Sequence, residues 1–234
     1  MTARATGIAA EDYVKAIYAH TEWQPEPATT TGLAHRLGLA PSSVTEMLSK
    51  LAEAGLVTRV PYGGVSLTAQ GRVLALRMTR RHRLLETWLV AEFGYGWHEV
   101  HVEAEVLEHA VSDRLLELVD RRLGHPRRDP HGDPIPGADG SVVRVEGMLV
   151  SEVEIGCRGT LVRVSDRVPG LLVELSHHGI ALDTEVVKTS TDTLTVVSSR
   201  SGGTGTAAPR ASTAGAVDFR LDRESATALW ISPK

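Results

Sequence analysis

Cysteine is almost absent from this chain: Cys157 is the single one in 234 residues. One thiol can form neither an internal disulfide nor a thiolate zinc cluster, so any metal is expected to be held mainly by carboxylates and imidazoles. No run of eighteen apolar residues occurs, and the N-terminal MTARATGIAAEDY lacks the apolar core of a signal peptide. The expectation is a cytoplasmic chain with no membrane partner. Missing as well are a Ser-His-Asp arrangement, a phosphate-cradling glycine loop, a catalytic-cysteine motif and the His-Glu-x-x-His signature of zinc proteases, which argues against an enzyme. No long internal repeat is visible.

What is present is an ordinary globular composition, 42% hydrophobic, long enough for one large or two to three small domains. The net charge of −4 hides a segregation. Residues 30–83 carry eight Lys/Arg against Glu46 and Glu53, a balance of +6, whereas residues 84–120 carry nine acids against Arg114, a balance of −8. A basic segment suited to nucleic acid thus precedes an acidic one suited to cations.

The acidic segment contains His101-Val-Glu-Ala-Glu105-Val-Leu-Glu108-His109, with ligand-type side chains at i, i+4, i+7 and i+8. On a helix these four fall within an arc of about 100°, while Val106, Leu107, Ala110 and Val111 point elsewhere. His82 and Glu86 repeat the i, i+4 spacing, so two neighbouring helices can close a site between them. The plainer alternative is a solvated charged face.

In chain order, residues 9–22 read as a first helix with Tyr13, Ala16 and Ile17 on one stripe. The Thr29–Thr31 hydroxyls offer N-caps for a short second helix through Leu33, Ala34 and Leu37. Pro41 and Ser42 start a third, with Val44, Leu48 and Leu51 inward and Gly55 at its C-terminal end. Helix, short turn, helix, followed by two β-type runs around Gly63-Gly64, is the pattern of a winged helix. Ser42, Ser43, Thr45, Glu46 and Lys50, with Arg59 and Tyr62 of the wing, are the candidate DNA contacts. Long helices are expected from Thr68 to Gly94, with Leu74, Met78, Leu85, Trp88 and Leu89 apolar, and from Val100 to Leu123. Both are too apolar to face solvent, which suggests a homodimer seam.

Residues 124–140, with four prolines and four glycines, read as a linker or long ordered loop. Turn chemistry is the favoured account of Asp129 and Asp133 there, with a metal site at Asp129, His131 and Asp133 the lesser alternative. Beyond residue 148 the texture is β-type: Gly159–Val164, Leu171–Leu175, Thr184–Val187 and Thr193–Val197, then a Ser/Gly/Thr/Ala-rich insertion over 198–215, then Val217–Leu221 and Ala228–Ile231.

These residues resemble the diphtheria toxin repressor family of metal-dependent transcriptional regulators, in its manganese-responsive, manganese transport regulator-like branch and its long form. The resemblance runs nearly end to end. It is carried by Glu11-Asp-Tyr13, Pro41-Ser-Ser-Val-Thr45, Arg81-His-Arg-Leu-Leu-Glu86, Glu105-Val-Leu-Glu-His109 and Asp129-Pro-His-Gly-Asp-Pro-Ile-Pro136. It implies a mainly α protein with a small β part: a winged helix-turn-helix DNA-binding domain over 1–74, a helical dimerisation and metal-binding domain over 75–145, and an SH3-like, FeoA-type β-barrel over 146–234. It further implies a primary metal site of Asp12, Glu105, Glu108 and His109 and an ancillary one of His82, Glu86 and His101. Asp166 and Glu174 are candidates for an additional ligand from the β module. Iron-responsive relatives have Met and Cys where this chain has Asp12 and Glu105. Two carboxylates there favour a hard ion, so Mn²⁺ is the expected co-repressor, with Fe²⁺, Co²⁺ or Zn²⁺ as substitutes in vitro. Short manganese regulators have Glu where this chain has Lys15, which speaks against their paired-metal geometry. The expected partners are a palindromic DNA operator of manganese-transport genes and a second copy of the chain. The competing readings are an iron-responsive repressor, a carboxylate di-metal enzyme, which lacks its paired Glu-x-x-His motifs here, and a winged-helix sensor of an organic ligand.

Overall fold

The computed structural model describes residues 2–23, 26–59, 64–168, 170–198 and 217–234. Tyr62 and the tip of the expected wing, and all but the first residue of the expected 198–215 insertion, lie outside the described residues. The chain divides into two units, residues 1–82 with 136–141 and residues 83–135 with 142–234.

The first unit contains α1 (Thr2–Thr21), α2 (Thr30–Leu37), α3 (Pro41–Glu53), β1 (Val57–Arg59), β2 (Val65–Leu67) and the opening turns of α4 (Ala69–Phe93). Its elements end where local chemistry ends them. The Thr29 hydroxyl accepts from the Gly32 N–H at 3.0 Å and caps α2, and Pro41, which lacks an N–H, occupies the first turn of α3. After α3, Gly55 takes φ +72°, and the Leu56 N–H turns back to the Leu51 carbonyl at 2.9 Å, which stops the helix and sends the chain into β1. β1 and β2 pair antiparallel with Val57 opposite Leu67 and Arg59 opposite Val65. Tyr13, Ile17, Leu33, Val44, Leu48, Leu51, Val57 and Val65 form one apolar core beneath them.

The second unit contains the rest of α4, then α5 (Val100–Leu107) and α6 (Asp113–Arg122), whose Leu84, Leu85, Ala104 and Leu116 pack with Ile135. It continues with β3 (Met148–Leu149), β4 (Arg158–Val164), α7 (Leu171–His177), β5 (Glu185–Ser190), β6 (Thr193–Ser198), β7 (Val217–Arg220), α8 (Arg223–Ala226) and β8 (Leu229–Pro233). The strands make one antiparallel sheet in the order β3-β8-β4-β5-β6-β7, closed over Leu161, Leu175, Val186, Leu229 and Ile231. The fold class expected from the sequence is the one observed. No described helix is long and apolar enough to cross a membrane.

Two elements differ from expectation. The single helix expected from Val100 to Leu123 is two, because the Ser112 hydroxyl accepts from the Leu115 N–H at 3.3 Å and caps a new helix. The β run expected at Leu171–Leu175 is helical. Leu171, Leu172 and Leu175 are buried, a spacing that lines one face of a helix, and Gly170 precedes them in the left-handed region. A short apolar run does not distinguish strand from helix by pattern alone.

Candidate metal centre and nucleic-acid face

In the first unit, Val44, Leu48 and Leu51 anchor α3 in the core and leave Ser42, Ser43, Thr45, Glu46 and Lys50 exposed on its other side. Lys50 pairs with Glu46 at 2.8 Å, and the Thr45 hydroxyl donates to the Pro41 carbonyl. Arg59, exposed on β1, donates to the Ser49 hydroxyl at 3.1 Å. The outer side of the helix is therefore polar, cationic at Lys50, and accessible to a groove. Asp12 is half-buried on α1, and His82 is buried on α4 at the end of this unit.

The second unit gathers ligand-type side chains around Glu86, whose carboxylate is 2% exposed. Its Oε1 is 3.4 Å from His101 Nδ1 on α5, and its Oε2 is 3.8 Å from His131 Nδ1 on the loop after α6. His101 also lies 3.6 Å from Glu105, one turn along α5, and 3.1 Å from Asp166, which follows β4. Glu86, Asp129 and His131, all buried, each offer a ligand atom within 4.8 Å of the others. One turn beyond Glu105, Glu108 is fully buried and approaches His109 Nε2 at 3.4 Å.

Burial and mutual charge set the protonation of this cluster. Burial, followed by the nearby Asp133 and Glu86 carboxylates, pushes the Asp129 carboxyl up to about 8. Burial alone would depress the His131 imidazolium, but the facing Glu86 carboxylate, with Asp129 and Asp166, raises it well above an ordinary histidine. For Asp133, burial works upward, yet Arg83 and Arg163 outweigh it and hold the carboxyl below its usual value.

Of the sequence candidates, the structure brings Glu86, His101, Glu105 and Asp166 together, and sets Glu108 beside His109. Glu174 stands apart. It is exposed on α7 and lines a separate cleft with His177, His178 and Phe219. The 129–133 loop shows the turn chemistry expected of it and in addition places His131 beside Glu86. Asp129 accepts the His131 and Asp133 N–H groups at 2.8 and 2.9 Å, as a turn aspartate would, and the turn is buried and carries His131 to Glu86. The available signal was two ligand-type residues two apart in a loop bounded by proline and glycine.

The donor set fits a hard divalent cation. It consists of carboxylate oxygens and imidazole nitrogens, and the one thiol, Cys157, packs against the β core instead.

Two family descriptions match the chain: an iron-dependent repressor N-terminal DNA-binding domain over residues 6–65, and an iron-dependent repressor metal-binding and dimerisation domain over residues 68–137. A solved structure described as a manganese-dependent transcriptional repressor in complex with manganese is 42% identical, with 96% of this chain and 100% of that one covered at a TM-score of 0.83. The structure of the manganese regulator SloR is 29% identical over 96% and 98% of the two chains, at a TM-score of 0.75. Among curated relatives, the iron-dependent repressor IdeR of Mycobacterium tuberculosis is 35% identical over 127 residues, 54% of this chain and 55% of the relative. The match thus spans about half the length of that relative. On the likeness that covers nearly all of both chains, this protein belongs to the iron-dependent repressor family of metal-dependent regulators.

Proposed function

We propose that the chain is a metal-dependent DNA-binding transcriptional repressor of the cytoplasm, a homodimer that uses Mn²⁺ as co-repressor to control manganese homeostasis and transport genes. In this reading the metal is a regulatory ligand and the chain is not an enzyme.

One observation carries the choice of metal: the donor set around Glu86, His101 and Glu105, continued by Glu108 and His109, is free of sulfur. Mn²⁺ is the weakest binder of the divalent series and depends most on such oxygen ligands. The proposed primary set is Asp12, Glu105, Glu108 and His109. The bound ion supplies the positive charge these residues share. By linkage, they hold it more tightly in whichever arrangement also suits DNA. For a twofold dimer that arrangement places two recognition helices about 34 Å, or a multiple, apart on a palindromic operator. The proposed ancillary set is His82, Glu86 and His101, with Asp166, and the buried Asp129 and His131 extend it. Support for the dimer comes from α5 and α6, which leave Val102 and Val106 about 70% exposed and Leu115 and Leu118 more than 40% exposed. An apolar surface of this kind suits an isologous interface.

The test is fluorescence anisotropy on DNA from the chain's own upstream region, after chelation and titration with Mn²⁺, anaerobic Fe²⁺, Co²⁺ and Zn²⁺. Specific binding should vanish in chelator and return at the lowest free concentration with Mn²⁺. Operator affinity unchanged by chelator removes the co-repressor role, and Fe²⁺ outranking Mn²⁺ replaces manganese with iron.

A further inference from the structure

The β module of the second unit holds the 129–133 turn from two directions. On one side, Arg163 of β4, 3% exposed, donates from Nε to Asp133 Oδ1 and lies over the Trp230 ring at 5.7 Å. The other oxygen of Asp133 accepts from Arg83 Nη2 at 3.1 Å, and Arg83 also donates to the Pro134 carbonyl at 2.7 Å. β4 adds a backbone bond from the Val164 N–H to the His131 carbonyl at 2.8 Å. Gly132 sits so close to β4 that a Cβ there would meet the Val162 carbonyl oxygen at 2.1 Å, so the turn has no room to shift toward the strand. On the other side, the Trp97 indole donates to the Ser176 hydroxyl at 2.6 Å and the Leu172 carbonyl at 3.1 Å, both on α7. The Trp97 carbonyl is in turn 2.6 Å from His131 Nε2, and the two rings stack at 6.4 Å. A carbonyl only accepts, so Nε2 carries a proton and the other ring nitrogen, Nδ1, is the one turned toward Glu86.

We propose that Arg163 is a positioning residue: through Asp133 it fixes the 129–133 turn against β4 and so sets His131 with Nε2 committed to the Trp97 carbonyl and Nδ1 directed at Glu86. The β module, together with the helices, thereby decides which imidazole nitrogen faces the cluster. Only the consequence for metal affinity rests on the proposed function. The ring geometry is a property of the metal-free chain. Groups that orient a metal-binding imidazole typically change affinity by about 10–100-fold. Arg163 acts one residue further out, so the lower end of that range, about tenfold, is expected here.

The experiment uses the full chain with ¹⁵N-histidine labelling, metal-free, comparing the parent with R163Q, R163K and D183N. The parent should show a slowly exchanging His131 Nε2–H. R163Q should lose it or speed its exchange at least tenfold while the β-core methyl spectrum is retained, and R163K should recover it in part. D183N breaks the exposed Arg128–Asp183 pair, a second link between the same loop and the β module, and should leave the signal alone. Mn²⁺ binding, followed by the electron paramagnetic resonance of the free ion, should weaken about tenfold in R163Q. A ring N–H in R163Q indistinguishable from the parent overturns the proposal, as does equal loss in D183N, which would mean that any loosening of the loop suffices. Loss confined to R163Q with unchanged Mn²⁺ affinity supports the positioning and instead removes His131 from the metal reading. If R163Q does not fold, D133N is judged by the same criteria.

Discussion

The two units bury different things. The core of the first unit under β1 and β2 encloses hydrocarbon: Ile17, Val44 and Leu48 are fully covered, the Glu46–Lys50 pair on α3 stays in solvent, and Arg81 and His82 are buried only at the unit's end on α4. The second adds to its apolar clusters a buried array of ionisable groups, with Glu86, Asp129, His131, Arg83 and Arg163 all under 9% exposed. Charge taken out of water is costly unless paired, and an apolar core of the same volume would often be at least as stable. The contrast suggests that the first unit is built for a rigid polar surface, and that the second retains ionised groups inside because they have a cation to meet.

The largest effect should come from breaking the ionic side of this comparison. Asp133→Ala removes the carboxylate between Arg83 and Arg163, leaves two buried guanidinium groups without it, and should cost about 3–5 kcal/mol. Urea unfolding of the metal-free chain measures it, and a loss under about 1 kcal/mol would show that water reaches the site. Leu48→Ala in the first unit should cost a comparable 2–5 kcal/mol through the cavity it leaves, yet leave metal affinity at the Glu86 cluster as it was.

Next in size is the change of donor chemistry. Asp12→Met with Glu105→Cys replaces two anionic oxygens by a thioether and a thiol. At about 1.4 kcal/mol per tenfold, two such losses shift the Mn²⁺ midpoint for operator binding on the order of a hundredfold, with Fe²⁺ or Co²⁺ shifted less. Single changes should each do part of this without adding, because the ligands share one ion. If circular dichroism shows the double variant folded and its midpoint and metal ranking match the parent's, these two residues do not bind the metal.

A smaller and more diagnostic effect is proton release. With the Asp129 carboxyl at about 8 and the His131 imidazolium raised, both hold protons near neutral pH in the metal-free fold, so metal uptake at this cluster should expel about one to two of them and tighten as pH rises. Calorimetry in buffers of different ionisation enthalpy counts them, and a count of zero would place the metal elsewhere. For stability the signs agree. A group whose pKa is raised on folding contributes fully below its unfolded value, so the share from Asp129 is lost between about pH 4 and 8, and that from His131 as pH rises through its raised value. Asp133, lowered on folding, acts oppositely, and its share is lost as pH falls below the ordinary carboxylate range. Without metal, raising the pH from 6 to 9 should therefore lower the melting temperature.

The smallest effect belongs to the polar surface of the first unit. Lys50→Ala should weaken operator and unrelated DNA alike and reduce the salt slope of log affinity by about one, with metal binding to the DNA-free protein unchanged. An unaltered slope would move α3 away from the phosphates.

Much of the first unit was legible in its residues, because helix ends there are decided locally. Thr29 caps α2, Pro41 opens α3 and Gly55 closes it, each through a backbone group within a few residues. Ser112 carried the same kind of signal, but the apolar continuity from Val100 to Leu123 masked it. Leu171–Leu175 failed for a different reason: five residues, four of them leucine or valine, satisfy a strand or a helix equally, and packing against the sheet made the choice.

What the sequence by itself determined was the chemistry on offer: an N-terminal helix-turn-helix with a polar outer face, an acidic, histidine-bearing helix, and a donor set without sulfur. These follow from residue type and short-range spacing. Only the tertiary structure decided which donors meet. Glu86, His101, His131 and Asp166 come from α4, α5, a loop and the β module, and the sequence separation between Glu86 and Asp166 says nothing about distance. His131 reaches Glu86 on a turn in which Asp133 holds Arg83 and Arg163 at once and Gly132 lies against β4. Long-range packing of this kind leaves no periodic trace in a single chain, because its partners are chosen by the folded surface and not by their neighbours in sequence.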